Sequence, residues 1–186
     1  MGNARVFKPI EPIPLDLLME PLIWFFAEHY RHRDVCARLL EAVRSVTCDE
    51  QSLREIFNFL DTDLPLHVID EEDDLFPLLR RRCEPDDQIE KVLGMLSAEH
   101  ANDMNEAAAV KLLVAAALAE GRGLACYNDA PSIIEPFCLQ QKRHIALENA
   151  VVLPIARHRL NSEDLRSLGR RLAARRGLND PFAGTS

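Results

Sequence analysis

Glycine is scarce in this chain, 7 of 186 residues, and no segment alternates β-branched with polar residues, so the turns and strands of a sheet are missing. No uninterrupted run of 18 apolar residues occurs, which leaves no candidate for a membrane-spanning helix. Met1 to Pro14 offers neither a basic n-region nor an apolar stretch with a cleavage site, so no export is expected. The five cysteines (Cys36, Cys48, Cys83, Cys126, Cys138) form no C-x-x-C pair and are odd in number, which argues against a closed disulfide framework and for a reducing, cytoplasmic setting. A net charge of −8 disfavours nucleic acid as a partner. The H-E-x-x-H pattern of zinc proteases is also missing.

What the chain does have is 47% hydrophobic residues, enough for one core, spaced at helical intervals. The expected fold is all-α: an antiparallel up-down-up-down four-helix bundle with a short C-terminal fifth helix. The spacing predicts helices over Asp16–Val46, Glu50–Arg82, Pro85–Glu120, Pro131–Arg159 and Ser162–Arg175. The bundle domain is expected over 15–176, after an extended arm at 1–14 marked by Pro9, Pro12 and Pro14, and before a flexible tail at 177–186. Short connectors at Thr47-Cys48-Asp49 and Cys83-Glu84-Pro85 imply antiparallel neighbours, and Gly121 to Ala130 is a longer loop. Pro65 falls inside the second helical pattern, where it either breaks the helix or kinks it so as to aim His67 and Glu71. Residues 157–177 carry seven arginines against Glu163 and Asp164; with Ser162 as N-cap, they read as an amphipathic helix capping the bundle with its charged face in water, with a nucleic-acid or partner surface as the lesser alternative.

Polar residues interrupt the apolar seams. Following the first helix in sevens gives Leu22, His29 and Cys36 beside Phe25, His32 and Leu39; the second gives Leu60 and His67 beside Leu64, Glu71 and Leu78. His100 lies on the seam of the third helix between Leu93 and Ala107, and His144 and Glu148 lie on those of the fourth. A buried glutamate costs several kcal/mol unless it is paired or bound to a cation, so four histidines and two glutamates on interior seams invite one.

An internal repeat strengthens the pattern. Ala27-Glu28-His29 recurs as Ala98-Glu99-His100, and His67, Glu71 and Leu75-Phe76-Pro77 recur as His144, Glu148 and Val152-Leu153-Pro154. Two hairpins of one plan would generate a pseudo-twofold site, which suits two metal ions. The chain runs as far from His29 to Val46 as from Glu50 to His67, so these ligands fall at one level of the bundle. His and Glu at i and i+4 share a helix face, placing an imidazole on one ion and a carboxylate between two. Such donors suit iron, manganese or zinc.

The order His29, His67-x-x-x-Glu71, His100, His144-x-x-x-Glu148 resembles the hemerythrin-like, or HHE cation-binding, domains, as do Leu-Pro-Leu-His-Val-Ile-Asp-Glu-Glu-Asp-Asp-Leu-Phe-Pro and Arg-His-Ile-Ala-Leu-Glu. The resemblance spans Leu15 to Arg176. It implies a four-helix bundle holding two iron ions with an oxo or hydroxo bridge or O₂, and roles in O₂ binding, in sensing O₂, NO or redox state, or in iron homeostasis. Metal ions and small diatomic ligands are the implied partners, with no membrane and no nucleic acid; a homo-oligomer is allowed and a protein partner is unspecified. Oxygen carriers of the family have a second histidine one turn from the first on the third helix, where this chain has Leu96 and Met104. That departure shifts the expectation from carriage toward sensing, with a di-iron oxidase, peroxidase or NO-reducing enzyme as the alternative and a metal-free interaction module as a third reading. Ferritin-type ferroxidases fit less well, since their Glu-x-x-His order is the reverse. His32 and Asp103 are either outer hydrogen-bond partners of a ligand or ligands themselves. Glu28 and Glu99 either support ligands or lie on solvated flanks, and Asp70, Glu72, Asp73 and Asp74 read as a solvated acidic face.

Overall fold

The computed structural model describes residues 9–184. Residues 1–8 of the expected arm and the last two of the expected tail lie outside them. The described chain is helical, with no strands and one isolated bridge between Thr47 and Arg122. We number five helices: α1 (Pro21–Ala42), α2 (50–82), α3 (Ile89–Glu120), α4 (130–159) and α5 (Ser162–Arg175). Helix α1 packs on α2 and α4, and α3 packs on α2 and α4, so these four close a ring; α5 lies across one end against α1. Among the described residues no helix is long and apolar enough to cross a membrane.

Helix starts differ from the expected ones where proline intervenes. The first segment is a 3₁₀ turn, Leu15–Met19, and the α-helix begins only at Pro21. Glu20 precedes that proline and is therefore kept out of the helical region, at φ −123° and ψ 68°. Likewise Pro85–Asp87 forms a 3₁₀ turn, Gln88 takes a left-handed φ of 50°, and α3 starts at Ile89. Helix α5 has the expected bounds, but its cap is Asn161, not Ser162: the Asn161 side chain accepts from the N–H groups of Glu163 and Asp164, and Asp164 reciprocates.

Pro65 does not break the second helix. It follows a π-turn, Phe59–Asp63, closed by the Leu64 N–H on the Phe59 carbonyl. Pro77 follows the π-turn Glu71–Leu75 in the same way, and Pro154 follows Glu148–Val152. A proline inside an α-helix lacks the N–H and collides with the carbonyl four residues back. One widened turn placed just before it moves that carbonyl aside while the helix continues. A π-turn thus starts at each of the two seam glutamates, six residues before a proline, whereas Pro136 lies inside the regular helical stretch Ala130–Leu147 without one.

Two apolar clusters fill the interior. One contains Leu22, Phe25, Phe76, Leu93 and Leu153 together with Leu168 and Leu172 of α5. The other contains Val35, Leu39, Leu60, Val110, Ile134 and Phe137. A buried polar layer of His29, His67, Glu71, His100, His144 and Glu148 lies on the helices between them. Close backbone approaches set both ends. A Cβ on Gly123 would stand 2.2 Å from the Ser45 carbonyl, where the 121–130 loop hydrogen-bonds to residues 45 and 46. A Cβ on Gly169 would stand 2.3 Å from the Leu18 carbonyl, so only glycine lets α5 lie this close to the first turn. Beyond α5, Arg170 pairs with Asp180 and lies over the Phe182 ring.

The charged face of α5 does not simply meet water. Arg171 and Arg175 pair with Asp74, Arg175 and Arg176 pair with Asp70, and Arg176 also reaches Glu28. The expected acidic face is correspondingly solvated only in part: Asp70 and Asp74 are buried, Glu72 is half-buried and Asp73 stays exposed. At the opposite end of α5, buried Asp164 accepts from Arg82 at 2.8 and 3.0 Å. Those bonds hold its carboxyl below the usual carboxylate range. A depressed folded value contributes stability that is present above the unfolded pKa, about 4, and is lost as pH falls through the folded one. Asp164→Ala is therefore expected to cost about 1–3 kcal/mol near neutrality. In urea melts of the two proteins the difference should shrink between about pH 7 and about pH 3.

Candidate metal centre

Each long helix delivers one histidine to the polar layer: His29 from α1, His67 from α2, His100 from α3 and His144 from α4. Helices α2 and α4 add Glu71 and Glu148, both fully buried. The donors form two groups, His29, His67, Glu71 and Glu148, and His100, His144, Glu71 and Glu148, each with its ligand atoms within 4.8 Å of one another. All six residues singled out by sequence therefore converge, and both glutamates belong to both groups.

The contacts within each group are short but are not hydrogen bonds. His144 Nε2 lies 2.9 Å from Glu148 Oε1, and His29 Nε2 lies 3.3 Å from Glu148 Oε2. Glu71 Oε2 lies 3.2 Å from His100 Nε2 and 3.6 Å from His67 Nε2. Nonetheless both oxygens of each glutamate, with His29 Nε2 and His144 Nε2, have no hydrogen-bond partner among the described residues. Donors that approach without aligning on one another are aimed at a shared third point. Ligands about 2.1 Å from a metal stand about 3.0–3.4 Å apart; these four contacts, 2.9 to 3.6 Å, bracket that spacing, and His29 Nε2 stands somewhat farther from Glu71 Oε1, at 3.9 Å.

The other ring nitrogen of each of these four histidines is engaged. His29 Nδ1 lies 2.8 Å from Asn149 Oδ1, His67 Nδ1 3.0 Å from Glu28 Oε2, His100 Nδ1 2.7 Å from Glu72 Oε1, and His144 Nδ1 3.0 Å from Glu99 Oε2. An acceptor at Nδ1 fixes the proton there and turns the Nε2 lone pair inward, as metal-binding imidazoles require. Glu28 and Glu99 thus support the histidines and are not solvated flanks. Sequence reasoning missed Glu72 and Asn149 in this role; each directly follows a seam glutamate, but the two differ in type and no spacing marks either.

His32 and Asp103 enter neither group. Asp103 accepts from Gln141 at 2.8 Å and stands 3.9 Å from His144 Nδ1. His32 packs edge-on against Phe59 and His67. Leu96, one turn before His100, is buried in the apolar cluster, and His158 is exposed away from the site.

Burial governs the charge state. It pushes the Glu148 carboxyl up to about 7, and it pushes Glu71 up as well with help from the Glu148 charge. It drives His29 down to about 3 and His67 to about 4. Only His100 moves the other way, up to about 9, because the Glu71 carboxylate beside it and the Glu72 carboxylate bonded to it outweigh its burial. With His29, His67 and His144 kept neutral by burial and two carboxylates buried beside them, a divalent cation compensates the site better than protons do.

No curated protein matches the chain. The description "Hemerythrin HHE cation binding domain" matches residues 21–156, from the start of α1 almost to the end of α4, and takes in all six converging residues. The chain belongs to the hemerythrin HHE cation-binding domain family.

Proposed function

We propose that this chain is a non-haem di-iron protein that binds or senses O₂, NO or redox state, built as an up-down-up-down four-helix bundle. His29 and His67 would hold one ion, His100 and His144 the other, and Glu71 and Glu148 would bridge them. The supporting observation is the set of buried, unpartnered oxygens on Glu71 and Glu148 with the unpartnered Nε2 atoms of His29 and His144. When bound, such an ion pair supplies one-electron redox chemistry and coordination positions for small ligands. The protein's own part is positional. Glu28, Glu72, Glu99 and Asn149 orient the imidazoles; Phe76, stacked on His100, and Phe25, edge-on to His67, exclude water. Five free cysteines fit a cytoplasmic setting.

Leu96 and Met104 flank His100, and Asp103 is engaged by Gln141, so no third imidazole stands at the second ion position. That incomplete donor set favours reactive chemistry over reversible carriage, and keeps the oxidase, peroxidase or NO-reducing enzyme as the second reading. Iron-loaded protein should show the near-ultraviolet absorption of a di-iron(III) centre and respond to NO after reduction. A spectral change without turnover of NO or H₂O₂ supports a sensor, and sustained turnover supports the enzyme. Iron-loaded protein that responds to neither NO, O₂ nor H₂O₂ would overturn both.

A further inference from the structure

The internal repeat predicts two equal halves, and around the inner donors it holds. Outside them it fails at three places. Asn149 backs His29 where Glu72 backs His100. His32 occupies the position that Asp103 occupies in the other half, 3.9 Å from His144 Nδ1. Glu28, behind His67, is paired at 2.8 Å with Arg176, whereas among the described residues no cation pairs with Glu99 behind His144. Arg176 has no counterpart in the repeat because it comes from the end of α5.

All three differences act in one direction. A carboxylate on Nδ1 makes the imidazole a stronger donor than an amide does, and its charge favours a nearby cation. The His100 and His144 position is backed by Glu72, Glu99 and Asp103. The His29 and His67 position is backed by an amide, a neutral imidazole and a carboxylate already neutralised by arginine. Resting on the metal-binding reading above, we infer that the two ion positions are inequivalent: the position between His100 and His144 fills first and holds its cation more tightly, with Glu72 and Asn149 as the positioning residues that set the order.

The test is a Zn²⁺ titration of metal-free full-length protein at fixed pH, read by competition with a chromophoric chelator, on the parent chain, Glu72→Gln and Asn149→Asp. Two binding steps alone decide nothing, since two like charges sharing Glu71 and Glu148 repel even at equal positions. The variants separate the cases. With inequivalent positions, Glu72→Gln weakens the first step by about tenfold or more, and Asn149→Asp tightens the second by about as much. With equal positions the pattern crosses over: Glu72→Gln weakens mainly the second step and Asn149→Asp tightens mainly the first, with a smaller change in the other step. That crossed pattern, or no change in either step, would overturn the inference while leaving the metal centre intact. A parent protein that is folded by circular dichroism and takes up no Zn²⁺ would instead count against the metal centre itself. Both substitutions are near-isosteric, and the circular dichroism of each variant checks that it is folded.

Discussion

Alanine at Glu71 or at Glu148 is expected to abolish binding of both cations, whereas alanine at His67 or at His144 is expected to remove one. The asymmetry follows from geometry, because each glutamate belongs to both donor groups and each histidine to only one. Losing one of two imidazoles leaves three donors at that position and four at the other. Losing a shared carboxylate leaves neither position complete and removes half of the anionic charge that offsets two divalent ions. Metal-to-protein ratios after dialysis check this directly. Equal loss in Glu148→Ala and His144→Ala would show that the glutamate serves one ion only.

Glu148→Met should have opposite effects on stability with and without metal. In metal-free protein Glu148 is a fully buried carboxyl whose two oxygens lack hydrogen-bond partners. Replacing a buried polar group that has no hydrogen bond with an apolar side chain of similar volume relieves its desolvation cost, about 1–3 kcal/mol. In the presence of metal the parent gains instead, by about 2.7 kcal/mol for each site at free ion a hundredfold above its dissociation constant. The expected result is therefore a variant that melts above the parent in chelator and below it in excess metal. Melting curves of both proteins in the two conditions decide it; a variant less stable in both would mean that Glu148 is held by protein contacts alone.

The inward seams were legible because helical period is a strong signal: an apolar line broken by His29, His67, His100 and His144 leaves few places for those rings to go. The repeat added the pairing of His67 with Glu71 and of His144 with Glu148. The π-turns were not legible, since a proline inside a helical pattern, such as Pro65, allows either a break or a kink, and only packing on both sides of it shows that the helix continues through a widened turn. The arginines of α5 were misread for a related reason. Arg175 and Arg176 meet Asp70 and Glu28 across more than a hundred residues of sequence, and no local pattern carries that pairing. Asn149 was missed because an amide beside a glutamate on a helix has no distinguishing spacing; its role depends on the approach of His29 from α1.

The most direct test of the metal centre is elemental analysis of the full chain purified from iron-supplied cells, with the protein concentration measured independently. Four histidines and two shared glutamates predict about two iron atoms per chain, lost together in Glu71→Ala. Well-folded protein that holds no stoichiometric metal, as purified or after anaerobic reconstitution with Fe²⁺, would contradict it.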